Sequence, residues 1–492
     1  MFTERSRGGR VARACVPVLL LPLLMGGGFE LEPQPPLLIR ADELHTGSGT
    51  VIPGGMLLIV DGRIVAVGTD IAVPPDATVI EVAGGSLTPG LIDANAAVEA
   101  SDVVVPRSRT ASQVLHDAFC PTHPTRRAGS CCGSTCPRAL QHASGEPCRM
   151  CGFPTSRPAT AAVGTRRWAT TAEHSAEVVP HTRVIDAVNL RSPDFDRLLA
   201  GGVTTIFVSA DSASVIGSQG AIIRTGGPIA KRIIRDAGAV KAVMGSDPYA
   251  RGTRNSGPWR RNVDFHSRRP TTRMGVTWVF RKALYDARRH EQGLEIHGAD
   301  TPPAEAMDTL SRILAGEIPL RIQARMQHDI LSAIRLADEF DLSFVLEEAT
   351  EAYLCLGELK AANAPVIFGP IYVTPTGYRR RSTETDRSRL HTMKALLDAG
   401  IETALTAHEL REEDGLARQA MYAIRYGVGL ASVTRSVTQT PAKLLGLERE
   451  IGTLEAGKQA DIVVWSGKPF EATSKPVVVL INGQVVFDRR SG

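Results

Sequence analysis

Four cysteine and histidine side chains form two short pairs with the spacing of metal ligands. The segments "FCPTHP" and "PCRMCGFP" contain the pairs Cys120–His123 and Cys148–Cys151, each separated by two residues. A pair of this kind can hold one face of a tetrahedral ion, and the two pairs together make a closed Cys₃His zinc set. Four protein ligands leave no open position for water, so we expect this zinc ion to be structural.

The same segment leaves other interpretations open. Cys131, Cys132 and Cys136 lie between the two pairs, and one of them can replace His123 as a ligand. Exported proteins also use cysteines for disulfides, because their compartment is oxidising. The sequence therefore predicts a structural zinc ion, with disulfides or free thiols as the alternatives.

Further polar residues follow apolar strands in the middle of the chain. Runs such as "VTTIFVS", "PLRIQAR", "SFVLEEA", "APVIFGP" and "ETALTAHE" are typical of buried strands, and amphipathic helical segments separate them. Repeated strand–helix units over about 350 residues favour an α/β fold, a parallel (β/α)₈ barrel of the TIM type. In such a barrel the chemistry lies at the carboxyl ends of the strands, here residues 95–97, 323–325, 347–348 and 407–408.

The two ends of the chain predict a second, smaller domain. "MLLIVDGRIVAVG" is typical of a hairpin around its Asp-Gly pair, and "VVVLINGQVVFD" of another around its Asn-Gly pair. We therefore expect residues 37–89 and 450–489 to form one composite β-sandwich domain, and residues 90–449 to form the barrel. Residues 117–172 lack periodicity and hold six of the eight cysteines, which predicts a cysteine-rich, zinc-ribbon-like insertion within the barrel.

The first 28 residues have the pattern of an export signal. Arginines precede the apolar run "ACVPVLLLPLLMGGG", which is too short to span a membrane comfortably. We expect residues 1–28 to be a signal peptide and the protein to be exported, either periplasmic or secreted. An uncleaved segment that anchors the chain is the alternative, and no other segment is suited to cross a membrane.

The overall charge argues against one broad class of partner. The chain carries 56 Lys and Arg against 52 Asp and Glu, a formal net charge of +4 at pH 7. Such a balance is nearly neutral for 492 residues, and it predicts no broad surface for nucleic acid.

Two longer motifs carry a family resemblance. "LTPGLIDA" follows the β-rich start, and "TPAKLLGLEREIGTLEAGKQADIVVWSG" lies near the end. Together they resemble the amidohydrolase superfamily, and most closely its imidazolonepropionase and prolidase-like branch, over nearly the whole chain outside the leader and the insertion. The resemblance implies a barrel with a composite sheet domain, and one or two divalent ions that serve hydrolysis of cyclic amides or dipeptides.

The metal ligands of that family are replaced in this chain. The family pattern has H-x-H after the first barrel strand, histidines after the fifth and sixth, and an aspartate after the eighth. The residues that match these positions are Asn95, Ala97, Gln323, Arg325, Glu348 and His408. A catalytic ion needs several neutral imidazoles and carboxylates and an open position for water. The resemblance therefore predicts a polar barrel mouth with no catalytic metal, in which Glu348 and His408 are the candidate catalytic residues.

Arg325 adds an electrostatic argument to the same prediction. A guanidinium that points into the mouth would repel a cation and would pair with Glu348 instead. The alternative is a mononuclear site made of Glu348, His408 and a third ligand from the edge of the insertion, such as His116 or Asp117.

These observations predict a protein related to metal-dependent hydrolases of non-peptide C–N bonds, with a degenerate barrel site that binds a small molecule. Such a protein would be a pseudoenzyme or an enzyme with altered chemistry. The first alternative is an active metal-dependent amidohydrolase with substituted ligands. The second is a binding or scaffold protein that recognises a protein partner through its cysteine-rich insertion.

Overall fold

The computed structural model describes residues 35–98, 176–248, 270–296, 301–371, 384, 387–408 and 415–491. The leader 1–28, the insertion 117–172 and the candidate ligands Cys120, His123, Cys148 and Cys151 lie outside the described residues. His116 and Asp117 lie outside them as well. Across the ranges that are described, no helix combines the length and the apolar character that a membrane span requires.

The strands are named here in chain order. The first group is β1 (Leu37–His45), β2 (Val51–Pro53), β3 (Met56–Val60), β4 (Arg63–Gly68) and β5 (Thr78–Pro89). The second group is β6 (Leu91–Ala96), β7 (Val203–Val208), β8 (Ile216–Arg224), β9 (Ile233–Val243), β10 (Leu320–Ala324), β11 (Phe344–Glu348), β12 (Val366–Phe368) and β13 (Thr403–Leu405). The last group is β14 (Ile462–Trp465), β15 (Pro476–Ile481) and β16 (Gln484–Asp488).

Six of the nine α-helices in the described residues lie between strands of the second group, and the last three follow β13. They are α1 (Pro193–Ala200), α2 (Arg273–Glu291), α3 (Ala304–Leu314), α4 (Gln327–Phe340), α5 (Leu356–Ala361), α6 (Thr392–Asp398), α7 (Leu416–Arg425), α8 (Leu430–Ser436) and α9 (Gln439–Leu444). Their apolar faces cover the barrel strands. In α4, for example, Ile330, Ala333 and Leu336 are buried and recur at helical spacing.

Strands from the two ends of the described chain join in one sheet of eight strands, in the order β16-β15-β14-β5-β1-β3-β4, with β2 paired to β1. The central strand β5 pairs in parallel with β1 and antiparallel with β14. Apolar residues from both ends, among them Leu57, Leu87, Val464 and Leu480, are completely buried in its core.

The second sheet is the barrel, with the strand order β13-β12-β11-β10-β9-β8-β7-β6. The prediction of an entirely parallel barrel is wrong at β8, which runs antiparallel to both β7 and β9. Residues 209–215 and 225–232 connect these strands. Both connections are shorter than the dozen or so residues that a parallel crossover needs, so the chain turns back at each end of β8.

The barrel is nearly closed, and polar contacts of Asp93 bridge its seam. In the described part of the chain, β6 and β13 share no ladder of paired residues. The buried Asp93 carboxylate accepts hydrogen bonds from Thr406 Oγ1 at 2.6 Å and from the backbone N–H of Ala407 at 3.0 Å. The backbone N–H of Asn95 donates to the same carboxylate at 3.0 Å. Burial raises the pKa of Asp93, and the three hydrogen bonds oppose that shift.

A buried ion pair connects the barrel to the other sheet. Arg224, at the end of β8, donates from Nη1 to both carboxylate oxygens of Asp461 at 3.1 Å. The backbone N–H of Asn482 donates to Asp461 Oδ1 at 2.8 Å, and that of Gly90 donates to the Asp461 carbonyl at 2.8 Å. Asp461 therefore fixes β8, the start of β6 and the hairpin of β15 and β16 at one point.

Replacing Asp93 by Asn should destabilise the folded protein by about 2 kcal/mol or more, because an amide nitrogen cannot accept the hydrogen bonds that the carboxylate accepts. Urea unfolding followed by circular dichroism would measure the change. The exposed Asp76 offers a matched control, and Asp76→Asn should leave the midpoint unchanged. An Asp93→Asn variant as stable as the wild type would show that the seam does not need this carboxylate.

Replacing Asp461 by Asn should cost roughly 3 kcal/mol of unfolding free energy, since it leaves the buried Arg224 without its anionic partner. The pair between Arg40 and Glu81 is exposed, with its nitrogen and oxygen 3.0 Å apart. Glu81→Gln should therefore change stability by less than about 1 kcal/mol. Equal losses in the two variants would contradict the importance given to the buried pair.

Candidate functional site at the barrel mouth

The residues singled out from the sequence lie at the ends of neighbouring barrel strands. Gln323 lies on β10 opposite Glu347 of β11, and Ala324 lies opposite Glu348. Successive residues of a strand point to opposite faces, so Gln323 and Arg325 share one face of β10. The structure joins Gln323, Arg325 and Glu348 in one polar network.

The guanidinium of Arg325 is the centre of that network. Its Nη1 donates to Glu384 Oε2 at 3.0 Å, and its Nη2 donates to Asp247 Oδ2 at 2.8 Å. Its Nε donates a hydrogen bond to Glu348 Oε2. The Arg325 side chain is only 2% exposed. The site is therefore one buried cation that pairs with three carboxylates.

Two of these carboxylates were missed in the sequence. Asp247 also accepts a hydrogen bond from Gln323 Nε2 at 3.1 Å. It follows β9 in "AVKAVMGSDP", so the rule that chemistry lies at strand ends could have found it. Glu384 lies far from any strand in the sequence, and no local pattern marks it.

The network extends outward through Arg273 at the start of α2. Arg273 pairs with Glu384 and also with Asp329, where Nε and Oδ1 are 2.9 Å apart. Burial raises the pKa of Asp329, and the hydrogen bonds from Arg273 lower it. A crevice of about 450 Å³, lined in part by Gly245, Arg273 and Asp329, reaches this outer end of the network.

Asn95 and His408 meet at the barrel seam. The Asn95 carbonyl lies 2.9 Å from His408 Nδ1. A carbonyl oxygen can only accept, so Nδ1 carries the proton and Nε2 is the basic nitrogen of the neutral ring. The Asn95 side chain is completely buried, and neither atom of its amide has a hydrogen-bond partner among the described residues. Gln323 Oε1 is also buried without a hydrogen-bond partner among the described residues.

The backbone is unusual at two of these strand ends. Glu348 and Ala349 have φ angles of +68° and +50°, and His408 has a φ of +50°. Positive φ is uncommon for residues other than glycine and tends to occur at functional sites, where the surrounding structure holds it in place. The barrel thus holds both candidate catalytic residues in conformations that would be unfavourable in a free chain.

A second layer of charge lies deeper in the barrel. Glu347 is completely buried; its carboxylate lies 3.3 Å from Lys241 Nζ and also pairs with Arg321. The Arg321 guanidinium lies over the Phe207 ring, 3.9 Å from its centre, and burial lowers the pKa of Arg321. Glu347 therefore pairs with cations inside the barrel, whereas its neighbour Glu348 pairs with Arg325 at the mouth.

These residues do not fit the divalent ion that the family resemblance implies. Ala97 has no ligand atom, and the guanidinium of Arg325 lies among the carboxylates. No group of three or more His, Cys, Asp or Glu is placed to hold a metal ion, as far as the described ranges extend. A catalytic ion needs several such donors with one coordination position open.

Comparison with known proteins agrees with this architecture. The model of the Amidohydrolase family matches residues 321–487. The amidohydrolase tasK of Hapsidospora irregularis is 24% identical over 343 residues, which are 65% of this chain and 34% of that protein. The imidazolonepropionase of Rhizobium meliloti (strain 1021) is 24% identical over 279 residues, 56% of this chain and 61% of that protein. The chain thus spans about a third and three-fifths of these two relatives.

Solved structures share the fold over most of the chain. An amidohydrolase from Thermotoga maritima MSB8 is 27% identical with a TM-score of 0.68, and the match covers 92% of this chain and 100% of that one. A prolidase in complex with N-methylphosphonate-L-proline is 15% identical with a TM-score of 0.51, over 92% and 100% of the two chains. At that identity the second likeness concerns the fold alone. The nearly closed eight-stranded barrel and the sheet domain, together with these relatives, make the chain similar to members of the amidohydrolase superfamily.

Proposed function

We propose that this protein has a degenerate barrel site without a catalytic metal and that it binds a small polar molecule at the barrel mouth. In this proposal it is a pseudoenzyme with respect to the metal-dependent C–N bond hydrolysis of its superfamily. The observation that carries the proposal is the buried Arg325 guanidinium, which pairs with Asp247, Glu348 and Glu384.

Electrostatics support a site in which Arg325 replaces the cation. Two unit charges 4 Å apart interact by about 4 kcal/mol at an effective dielectric constant of 20, and a divalent ion doubles that repulsion. The carboxylates that would attract the ion already pair with the guanidinium. A metal would therefore have to displace Arg325 from its partners and leave a buried charge without compensation.

The unpartnered amide atoms support a ligand at the mouth. Asn95 and Gln323 occupy positions at which the family has histidine ligands, and both carry buried polar atoms without a partner in the described part of the chain. A buried polar group without a hydrogen bond costs about 1–3 kcal/mol. A small molecule that offers both a donor and an acceptor, such as a cyclic amide, would satisfy these atoms.

Several predictions from the sequence lie outside the described residues and stay predictions. They are the signal peptide and export, and the structural zinc ion held by Cys120, His123, Cys148 and Cys151. A role for the cysteine-rich insertion in protein binding belongs to the same group.

The purified full-length chain should contain at most one zinc ion, and the Cys148→Ser, Cys151→Ser double variant should contain none. The reason is that the only expected ion is the structural one in the insertion. Plasma mass spectrometry would count the metals. With added zinc or manganese, neither preparation should hydrolyse cyclic amides or dipeptides. Turnover that disappears in Glu348→Ala and in His408→Ala, but persists in the exposed control Glu358→Ala, would establish the rival metal-dependent hydrolase.

The proposal also predicts that the barrel mouth binds cyclic amides without hydrolysing them. Calorimetric titration with cyclic amides should show saturable binding that does not depend on added metal. Asn95→Leu should weaken it, because leucine offers neither hydrogen bond. Absence of any such binding across a panel of cyclic amides would overturn the proposed ligand class.

Replacing Arg325 by Met should destabilise the protein by about 3–5 kcal/mol at neutral pH, because three buried carboxylates lose their shared cation. Added Mn²⁺ or Ca²⁺ should restore part of the loss, since an ion that binds only the folded state stabilises it. Thermal unfolding with and without the ions would measure both effects.

Two further variants control that experiment. Arg325→Lys keeps the charge and should be less destabilised than Arg325→Met, and it provides a folded comparison if the methionine variant does not fold. Arg335→Met removes an exposed arginine and should behave like the wild type. A wild-type protein that gains the same stability from the ions as the Arg325 variants would contradict the cation-replacement proposal.

A further inference from the structure

A second crevice lies where helices of the barrel meet the other sheet domain. It has a volume of about 570 Å³ and is lined by residues of α1, by residues of α7 up to Met421, by residues of the connection between β14 and β15, and by Pro476 at the start of β15. We call it the junction crevice. Its volume falls in the range of small-molecule sites, and no residue of the candidate site at the barrel mouth lines it.

The floor of the junction crevice is apolar and fixed in position. Trp465 and Phe470 are almost completely buried and pack edge to face, with ring centres 5.2 Å apart. The Trp465 indole N–H donates to Thr88 Oγ1 at 3.0 Å, which holds the ring in one orientation. Leu198 and Met421 extend the apolar surface from the two helices. Such a floor suits the hydrocarbon part of a ligand.

The rim of the crevice carries an excess of positive charge. Its four basic residues are Arg197, Arg418, Lys475 and Arg489, and its two acidic residues are Asp194 and Glu471. Four positive and two negative charges give a net charge of +2. Asp194 is buried and lies 3.5 Å from Arg197, so it neutralises a cation of its own helix. The remaining basic side chains come from α7, from the connection before β15 and from the chain after β16.

We propose that the junction crevice binds a small amphipathic anion, a carboxylate with an apolar body. The apolar body would lie on Trp465, Phe470 and Met421, and the carboxylate would face Lys475 and Arg489 at the rim. A carboxylate gains charge-assisted hydrogen bonds from lysine and arginine, whereas a neutral head group does not. The concave shape and the modest net charge suit a small molecule rather than a polyanion such as nucleic acid.

Calorimetric titration of the full-length chain with decanoate, and with the neutral decanamide as its counterpart, would test the inference. Decanoate should bind at one saturable site, and decanamide should bind at least about tenfold more weakly. The double variant Lys475→Gln, Arg489→Gln keeps the apolar floor, and it should weaken decanoate binding at least about tenfold. Met421→Trp should fill the floor and weaken both ligands.

Two controls make the outcome specific. The double variant Arg281→Gln, Arg335→Gln alters the crevice near Arg273 and should leave decanoate binding unchanged. His408→Ala alters the barrel mouth and should also leave it unchanged, so the two sites can fail independently. Equal affinity for decanoate and decanamide, or a Lys475, Arg489 double variant that binds like the wild type, would overturn the inference in favour of unspecific apolar binding.

Discussion

The Asp93 carboxylate is the interaction on which the barrel mouth depends. In the described part of the chain, seven of the eight strand junctions in the barrel are joined by backbone ladders. At the eighth, between β6 and β13, the hydrogen bonds of Asp93 are joined by a few contacts of Asn95 and Ala97 with Thr406 and His408. The backbone that Asp93 holds is also the backbone that carries Asn95 and His408. The contacts that close the barrel therefore also position two candidate site residues. Loss of these contacts would displace Asn95 and His408 as well.

Near β10, buried charged side chains form two layers. Arg321 lies in the lower layer with Lys241 and Glu347, and Arg325 lies in the upper layer with its three carboxylates. Each buried cation has at least one carboxylate partner, which is the condition for burying charge at a tolerable cost. At the barrel mouth, the charge that neutralises the acidic groups is a guanidinium of the chain itself.

Apolar periodicity predicted many of the strands because it is a local property. Strands β10 and β11 begin and end within one residue of the expected runs "PLRIQAR" and "SFVLEEA". The reversal at β8 was missed because it depends on the length of two connections, which the apolar pattern does not report. Glu384 could not be predicted, since its contact with Arg325 joins residues 59 positions apart and no local sequence pattern marks such a contact. The site residues at strand ends could be predicted from the sequence only because the strands of a barrel end close together on one side.

The central place of β5 in the sheet built from both ends has a consequence for biosynthesis. One edge of β5 pairs with β1, which is made just before it, but the other edge pairs with β14. A ribosome that adds about 5–20 residues per second needs roughly 20–75 seconds to travel from β5 to β14. During that interval the edge of β5 has no native partner, and an unpaired edge can pair with other chains. The nascent chain must therefore be kept apart from its neighbours until its last strands emerge.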